Sequence, residues 1–221
     1  MTNFNIQIVS DTVCPWCYVG HRRLSRAIAT HKQSHPKDTF SITWRAFYLN
    51  PEAPAYPGVD KQEHYASKFG AERATALFSR LAAVGAEEGI AFKFGGRSGR
   101  TRDSHRLIAY AGKKQDGVSQ GLQTRVVEAL FRAYFEEEKN ITDRAVLLEA
   151  GVRAGLDKAE VEKLLDSDEG GAEVDAEAES ARRRFISGVP HFTIQGKYVV
   201  SGAETPDAFL EAFEVVKQDE K

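Results

Sequence analysis

Strand texture occurs at both ends of this 221-residue chain and fades through its middle, and that distribution constrains the fold more than any other feature. Near the start, "FNIQIV" (4–9) alternates apolar and polar residues and then runs apolar, as a partly buried strand does. A short loop leads to Cys14-Pro15 and a helical pattern through Leu24 and Ile28. Pro15 suits the first helical position, because its missing N–H would find no intrahelical partner there. "FSITW" (40–44) reads as a second strand. Far along the chain, "HFTI" (191–194), a turn around Gly196 and "YVVS" (198–201) read as a hairpin. Thr205-Pro206 then offers an N-cap and first position for a last helix carrying Phe209, Leu210 and Phe213.

Between these ends the period changes. Leu77, Leu81 and Val84 recur at helical spacing, as do Leu122, Val126, Leu130 and Tyr134. "EVDAEAESARRRF" (173–185) places acids before Arg182, Arg183 and Arg184, which complements a helix macrodipole. "FEEEK" (135–139) reads as a solvated face or helix end, and 50–57, with Pro51, Pro54 and Pro57, as a linker. The order is β-α-β, a long helical block, then β-β-α. Without the block, one small α/β unit remains, and its first helix begins at the cysteine pair. The reading is therefore an α/β domain from 1–56 and 186–221, interrupted by an all-helical domain at 57–185.

The chain is long enough to bury a sizeable core, and 42% apolar with 28% charged residues is ordinary for a globular protein. A formal charge of -2 gives no field that would recruit nucleic acid or an anionic membrane. No apolar run approaches the ~20 residues of a membrane helix. "MTNFNIQIVSD" lacks a basic segment followed by an apolar one, so a cytoplasmic location is expected. Thiols stay reduced there, which disfavours a lone structural disulfide.

Cys14 and Cys17 are the two cysteines of the chain. Such a pair can hold zinc, staple the fold, or cycle between dithiol and disulfide. A structural zinc site needs four ligands. His21 could supply a third, but His31, His35, His64, His105 and His191 sit at no ligand spacing. For redox chemistry the setting fits: a cysteine at a helix N-terminus meets unsatisfied N–H groups and the positive dipole end, both of which favour thiolate. Cys14 is then the attacking sulfur, and Cys17, one turn on, resolves the mixed disulfide. "SGVPHF" (187–192) adds Pro190 at a strand start, where a cis Val189–Pro190 bond is weighed against an ordinary trans one.

Together "SDTVCPWCYVGHRRL", the helical block, "TRDSHRLI", "ALFRAYF" and "SGVPHFTIQGKYVVSGAETP" resemble the DsbA family, specifically its FrnE-like branch, over nearly the whole chain. The resemblance implies a thioredoxin fold with a large helical domain inserted between the second and third strands. It implies a thiol–disulfide oxidoreductase with Cys14 as nucleophile, Cys17 as resolving thiol and Pro190 as the facing cis proline. Val189 would offer backbone groups to a thiol substrate. Pro15 and Trp16 fill the dipeptide between the sulfurs. DsbA itself is similar to Cys-Pro-His-Cys here, and Trp16 does not supply that histidine's charge, so the direction of the redox reaction stays open. Related branches, the kappa-class glutathione transferases and 2-hydroxychromene-2-carboxylate isomerases, carry Ser where Cys14 stands and bind glutathione. Glu204 in "SGAET" stands roughly where they use an acidic residue. The resemblance thus admits glutathione as co-substrate, with no other cofactor required, and is compatible with a homodimer. Two alternatives remain: a glutathione-dependent isomerase or transferase acting on a small aromatic or polyketide-like molecule, and a non-enzymatic binding or chaperone-like module. Partners are expected to be disulfide- or thiol-containing proteins or small molecules.

"FGGRSGRTRDSHR" (94–106) reads as a mobile, basic loop with Asp103 capping the next helix. Its functional reading is a substrate-recognition edge in which Arg102 and His105 contact an acidic or peptide ligand. His105 also suits plain helix packing.

Overall fold

The computed structural model of the chain describes residues 1–114 and 121–220. Strand β1 (Asn3–Ser10) leads into helix α1 (Pro15–Ser34), and β2 (Thr39–Ala46) returns parallel to β1, with Ile6 opposite Ile42. Next come β3 (Val59–Asp60), α2 (Lys61–Phe69), α3 (Ala71–Glu87) and β4 (Arg97–Ser98). Helices α4 (Arg102–Lys114), α5 (Leu122–Phe135), α6 (Arg144–Ala154), α7 (Lys158–Leu165) and α8 (Gly171–Arg183) follow. Only then do β5 (His191–Ile194), β6 (Tyr198–Ser201) and α9 (Pro206–Asp219) complete the main sheet. Its order is β2-β1-β5-β6, with β5 antiparallel to β1 and Ile8 opposite Phe192. The helical block therefore enters between the second and third strands of this sheet.

Alternation along β1 buries Phe4, Ile6 and Ile8. Phe4 lies 4.9 Å from the Phe213 ring of α9, and Phe192 meets Phe209 of the same helix at the same distance. Val9 joins a separate cluster with Phe47, Ala181 and Ile186, so the end of β1 is covered on both faces and the alternation stops there. Helix α5 buries ten of its residues, too many for a single stripe, and forms the centre of the inserted helices.

Two polar nodes hold separate parts together. Asp38 accepts from the Thr2 N–H (2.8 Å) and from Lys217 Nζ (2.9 Å), and pairs with His31 Nε2 (2.9 Å), tying β1, α1 and α9. Burial works to raise the Asp38 pKa, but these three partners outweigh it and hold the carboxyl far below its ordinary value. Arg106 is 3% exposed and donates to the backbone carbonyls of Leu164, Ser167 and Glu169, fastening α4 to the α7–α8 junction.

Several local expectations are corrected. The block is not free of strand: β3 and β4 pair antiparallel, Val59 with Ser98 and Asp60 with Arg97, a ladder too short to show a period. Residues 94–101 are engaged rather than free. A Cβ on Gly99 would lie 2.6 Å from the Pro54 carbonyl, and Gly96 sits at φ +81 against the Glu138 carbonyl. These glycines serve close approach. Asp103 lies inside the first turn of α4 and accepts from Arg106 Nη1 rather than capping the helix. Thr205 is at the N-cap of α9 but its side chain makes no cap hydrogen bond. No helix among the described residues is long and apolar enough to cross a membrane.

Candidate active site

Cys14 is the N-cap of α1, with extended backbone (φ -89, ψ 111), and Pro15 opens the helix. The turn before it closes through Cys14 N–H to the Asp11 carbonyl (3.0 Å), and the first helical turn carries no acidic residue. The sulfur thus sits where helix N–H groups lack partners and the macrodipole is positive. Cys17 is 1% exposed against 4% for Cys14, and both are free thiols. Burial, first of all, pushes the Cys17 thiol well above its ordinary pKa; the adjacent Cys14 sulfur adds to this, and Ser10 and Asp11 offset it in part.

The sheet returns a distant segment to the pair. The Val189–Pro190 peptide bond is cis, and Cys14 Sγ donates to the Val189 carbonyl at 3.4 Å. Gly20 explains how closely α1 lies against this loop: a Cβ there would meet Pro190 Cγ at 3.0 Å and Phe192 Cζ at 3.1 Å.

In front of Cys14 opens a pocket of about 300 Å³, lined mainly by apolar groups. Val13, Pro15, Trp16 and Val189 come from the motif and the facing loop; Leu49, Ala53 and Pro54 come from the segment after β2; Val59, Tyr65, Phe69 and Leu77 come from the inserted elements. The expected linker at 50–57 is therefore pocket wall. Burial first, and then the nearby Cys14 sulfur, push the Tyr65 phenol up to about 12. The Arg80 guanidinium lies 5.4 Å from the Trp16 ring centroid, which places a cation over the dipeptide that lacks one of its own.

Helix α2 carries much of this wall and is positioned by its own start. Asp60 caps it by accepting from the Glu63 N–H at 3.0 Å. Lys61 is 3% exposed, donates to the Tyr134 carbonyl at 3.0 Å and lies 3.8 Å from the Tyr134 ring centroid. Burial lowers its pKa from 10.5 to about 8. Between pH 8 and about 10 this side chain binds more protons in the unfolded chain than in the folded one, so its own contribution to stability rises with pH across that window, while the buried Cys17 thiol contributes with the opposite sign. We expect chemical denaturation to show the difference between wild type and Lys61→Met growing by up to about 3 kcal/mol in favour of wild type there. A difference that stays constant with pH would remove the assigned shift.

Of the residues chosen from sequence, Cys14, Pro15, Trp16 and Val189 line one pocket, with Pro190 behind them and Cys17 below. Arg102 does not join them: its guanidinium is spent on Asp168 and Asp175. Neither does the His105 side chain reach a ligand. It is buried, and its Nε2 faces the Phe47 carbonyl (3.1 Å) and Asp11 Oδ1 (3.3 Å). Glu204 is exposed on the turn before α9, along a different groove between β6 and α9. His21, considered as a third zinc ligand, pairs with Glu128 at 2.8 Å. Tyr65, Lys68, Phe69 and Arg80 were not foreseen; the helical run around them was visible, but nothing in it pointed back to Cys14.

A family model describing a DSBA-like thioredoxin domain matches residues 5–214. A probable DsbA oxidoreductase from Streptomyces coelicolor is 31% identical over 95% of this chain and 88% of its own, with a TM-score of 0.82. The Bacillus subtilis protein YwbO is 25% identical over 94% of both chains. The glutathione-containing structure of cytosolic disulfide reductase DsbM from Pseudomonas aeruginosa shares the fold at 17% identity, covering 97% of this chain and 99% of that one, with a TM-score of 0.60.

Proposed function

We propose, for a chain that belongs to the DSBA-like thioredoxin-domain family, a thiol–disulfide oxidoreductase that works through Cys14 and Cys17. The observation that carries this reading is the Cys14 sulfur at the start of α1, facing the Val189 carbonyl at the floor of an apolar pocket, with a second thiol one turn behind it.

Cys14 thiolate attacks one sulfur of a substrate disulfide. A bond forms between the two sulfurs, and the other half of the substrate leaves as a thiolate that takes up a proton. Cys17 then loses its proton and attacks Cys14 Sγ, and the second half leaves as a thiol. Two electrons pass from the protein dithiol to the substrate, and a Cys14–Cys17 disulfide remains. The reverse sequence oxidises a dithiol. Val189 lends backbone groups to the bound substrate, Pro190 shapes that edge, and Pro15 and Trp16 form its floor. The cycle needs no metal or organic cofactor. Glutathione is the thiol partner we propose, in a cytoplasmic setting, where it would return the disulfide to the dithiol; the glutathione-containing DsbM structure supports that choice at the level of fold.

Stoichiometry tests the reading. Reduced protein mixed with excess small disulfide is expected to release two equivalents of thiol and to lose the mass of two hydrogens. A stable one-to-one adduct, or release of a single equivalent, would sink the dithiol cycle. Titration of the couple against glutathione then fixes its direction.

A further inference from the structure

The pocket wall contains one acidic side chain, Asp11, and two basic ones, His64 and Lys68. Asp11 is 1% exposed and already engaged, accepting from the Leu49 N–H at 2.8 Å and facing His105. His64 and Lys68 are different. They lie four residues apart on α2, so they project from one face, a turn apart. His64 is half-buried and Lys68 is exposed at the rim, and neither pairs with a carboxylate of the described residues. The residue that follows each of them on the same helix, Tyr65 and Phe69, is aromatic wall. Phe69, at 41% exposure, is a large apolar side chain left open to solvent at the same rim.

We propose that His64 and Lys68 read an anionic group on the substrate. The substrate class is then a low-molecular-weight thiol or disulfide with an apolar body and a carboxylate at the end remote from its sulfur. The body fills the space between Trp16, Tyr65, Phe69 and Leu77, the sulfur meets Cys14, and the carboxylate reaches the Lys68 ammonium and the His64 imidazole. An apolar cavity of this size excludes water from the body, while a paired, partly desolvated carboxylate adds orientation and selectivity. This inference rests on the thiol–disulfide reading above.

Two aromatic disulfides separate the two. Dithiobis-nitrobenzoate carries a carboxylate on each ring, whereas dithiodipyridine is uncharged at neutral pH. Rates of reaction with the reduced protein are compared with those of dithiothreitol, a dithiol without a pocket. Wild type is expected to favour the carboxylated disulfide over the neutral one by about fivefold more than dithiothreitol does, with the preference shrinking in high salt. Lys68→Glu is expected to erase that preference by slowing the carboxylated disulfide several-fold more than dithiodipyridine, and His64→Gln to reduce it. Lys68 is exposed, so its replacement leaves the core intact. Equal slowing of both disulfides, or an unchanged ratio, would overturn the inference while leaving the redox reading in place. Failure of both disulfides to modify Cys14 would overturn both.

Discussion

Cys17→Ser is expected to turn the proposed catalyst into a trap. The first exchange needs only the Cys14 sulfur and its place at the start of α1, so one equivalent of thiol is released and a mixed disulfide accumulates. Without Cys17 nothing nearby can attack that bond, and multiple turnover falls on the order of a thousandfold. Cys14→Ser removes the attacking sulfur and loses both half-reactions, although Cys17 remains. Burial of Cys17 cannot substitute for it, since the same burial that raises its pKa keeps the thiol protonated near neutrality. In wild type this makes the second step accelerate as pH rises. The measurement is thiol release and intact mass at successive times. Full turnover by Cys17→Ser with glutathione and a small aromatic substrate would transfer the protein to the isomerase or transferase reading. Activity surviving both substitutions would point to a binding module instead.

Arg106→Met is expected to cost about 3–5 kcal/mol. The methionine replaces most of the buried stem, but the carbonyls of Leu164, Ser167 and Glu169 lose their donor, and Asp103 loses the partner at 2.7 Å. For a chain of this size each kcal/mol shifts Tm by about 2–4 °C, so a fall on the order of 10 °C should appear in thermal melts. Arg106→Lys should recover only part of it, because an ammonium cannot serve carbonyls in three directions with the same fork. A loss below about 1 kcal/mol would mean that the α7–α8 junction is held by packing alone.

The residues that could be read in advance are those whose neighbours in sequence are also their neighbours in space. The strands at 4–9 and 191–201 announce themselves because alternation and turn chemistry are local. The Cys14–Cys17 pair is legible because its reactivity depends on a helix start a few residues away. Val189–Pro190 was within reach through its place at a strand beginning. The remainder of the site was not. Arg102 and His105 look available as a string of basic residues, yet three-dimensional partners such as Asp168, Asp175 and Asp11 consume them. Glu204 was placed by analogy with other branches, and here the turn carries it to another groove. Conversely, Tyr65, Lys68 and Arg80 belong to ordinary amphipathic helices, and only tertiary packing brings them to Cys14.

The two halves of the site therefore have separate histories in the chain. The proposed sulfur chemistry is written in residues 14–17 and at Val189–Pro190, within the sheet unit, where Cys14 Sγ donates to the Val189 carbonyl. Much of the wall opposite is written in nine residues, Lys61–Phe69, held by a cap and a two-residue ladder. A change on the exposed face of that short helix leaves Cys14 and Cys17 in place. What the pocket accepts and the sulfur chemistry proposed for it are thus open to separate change, and a protein engineer can exploit this by redesigning a single short helix.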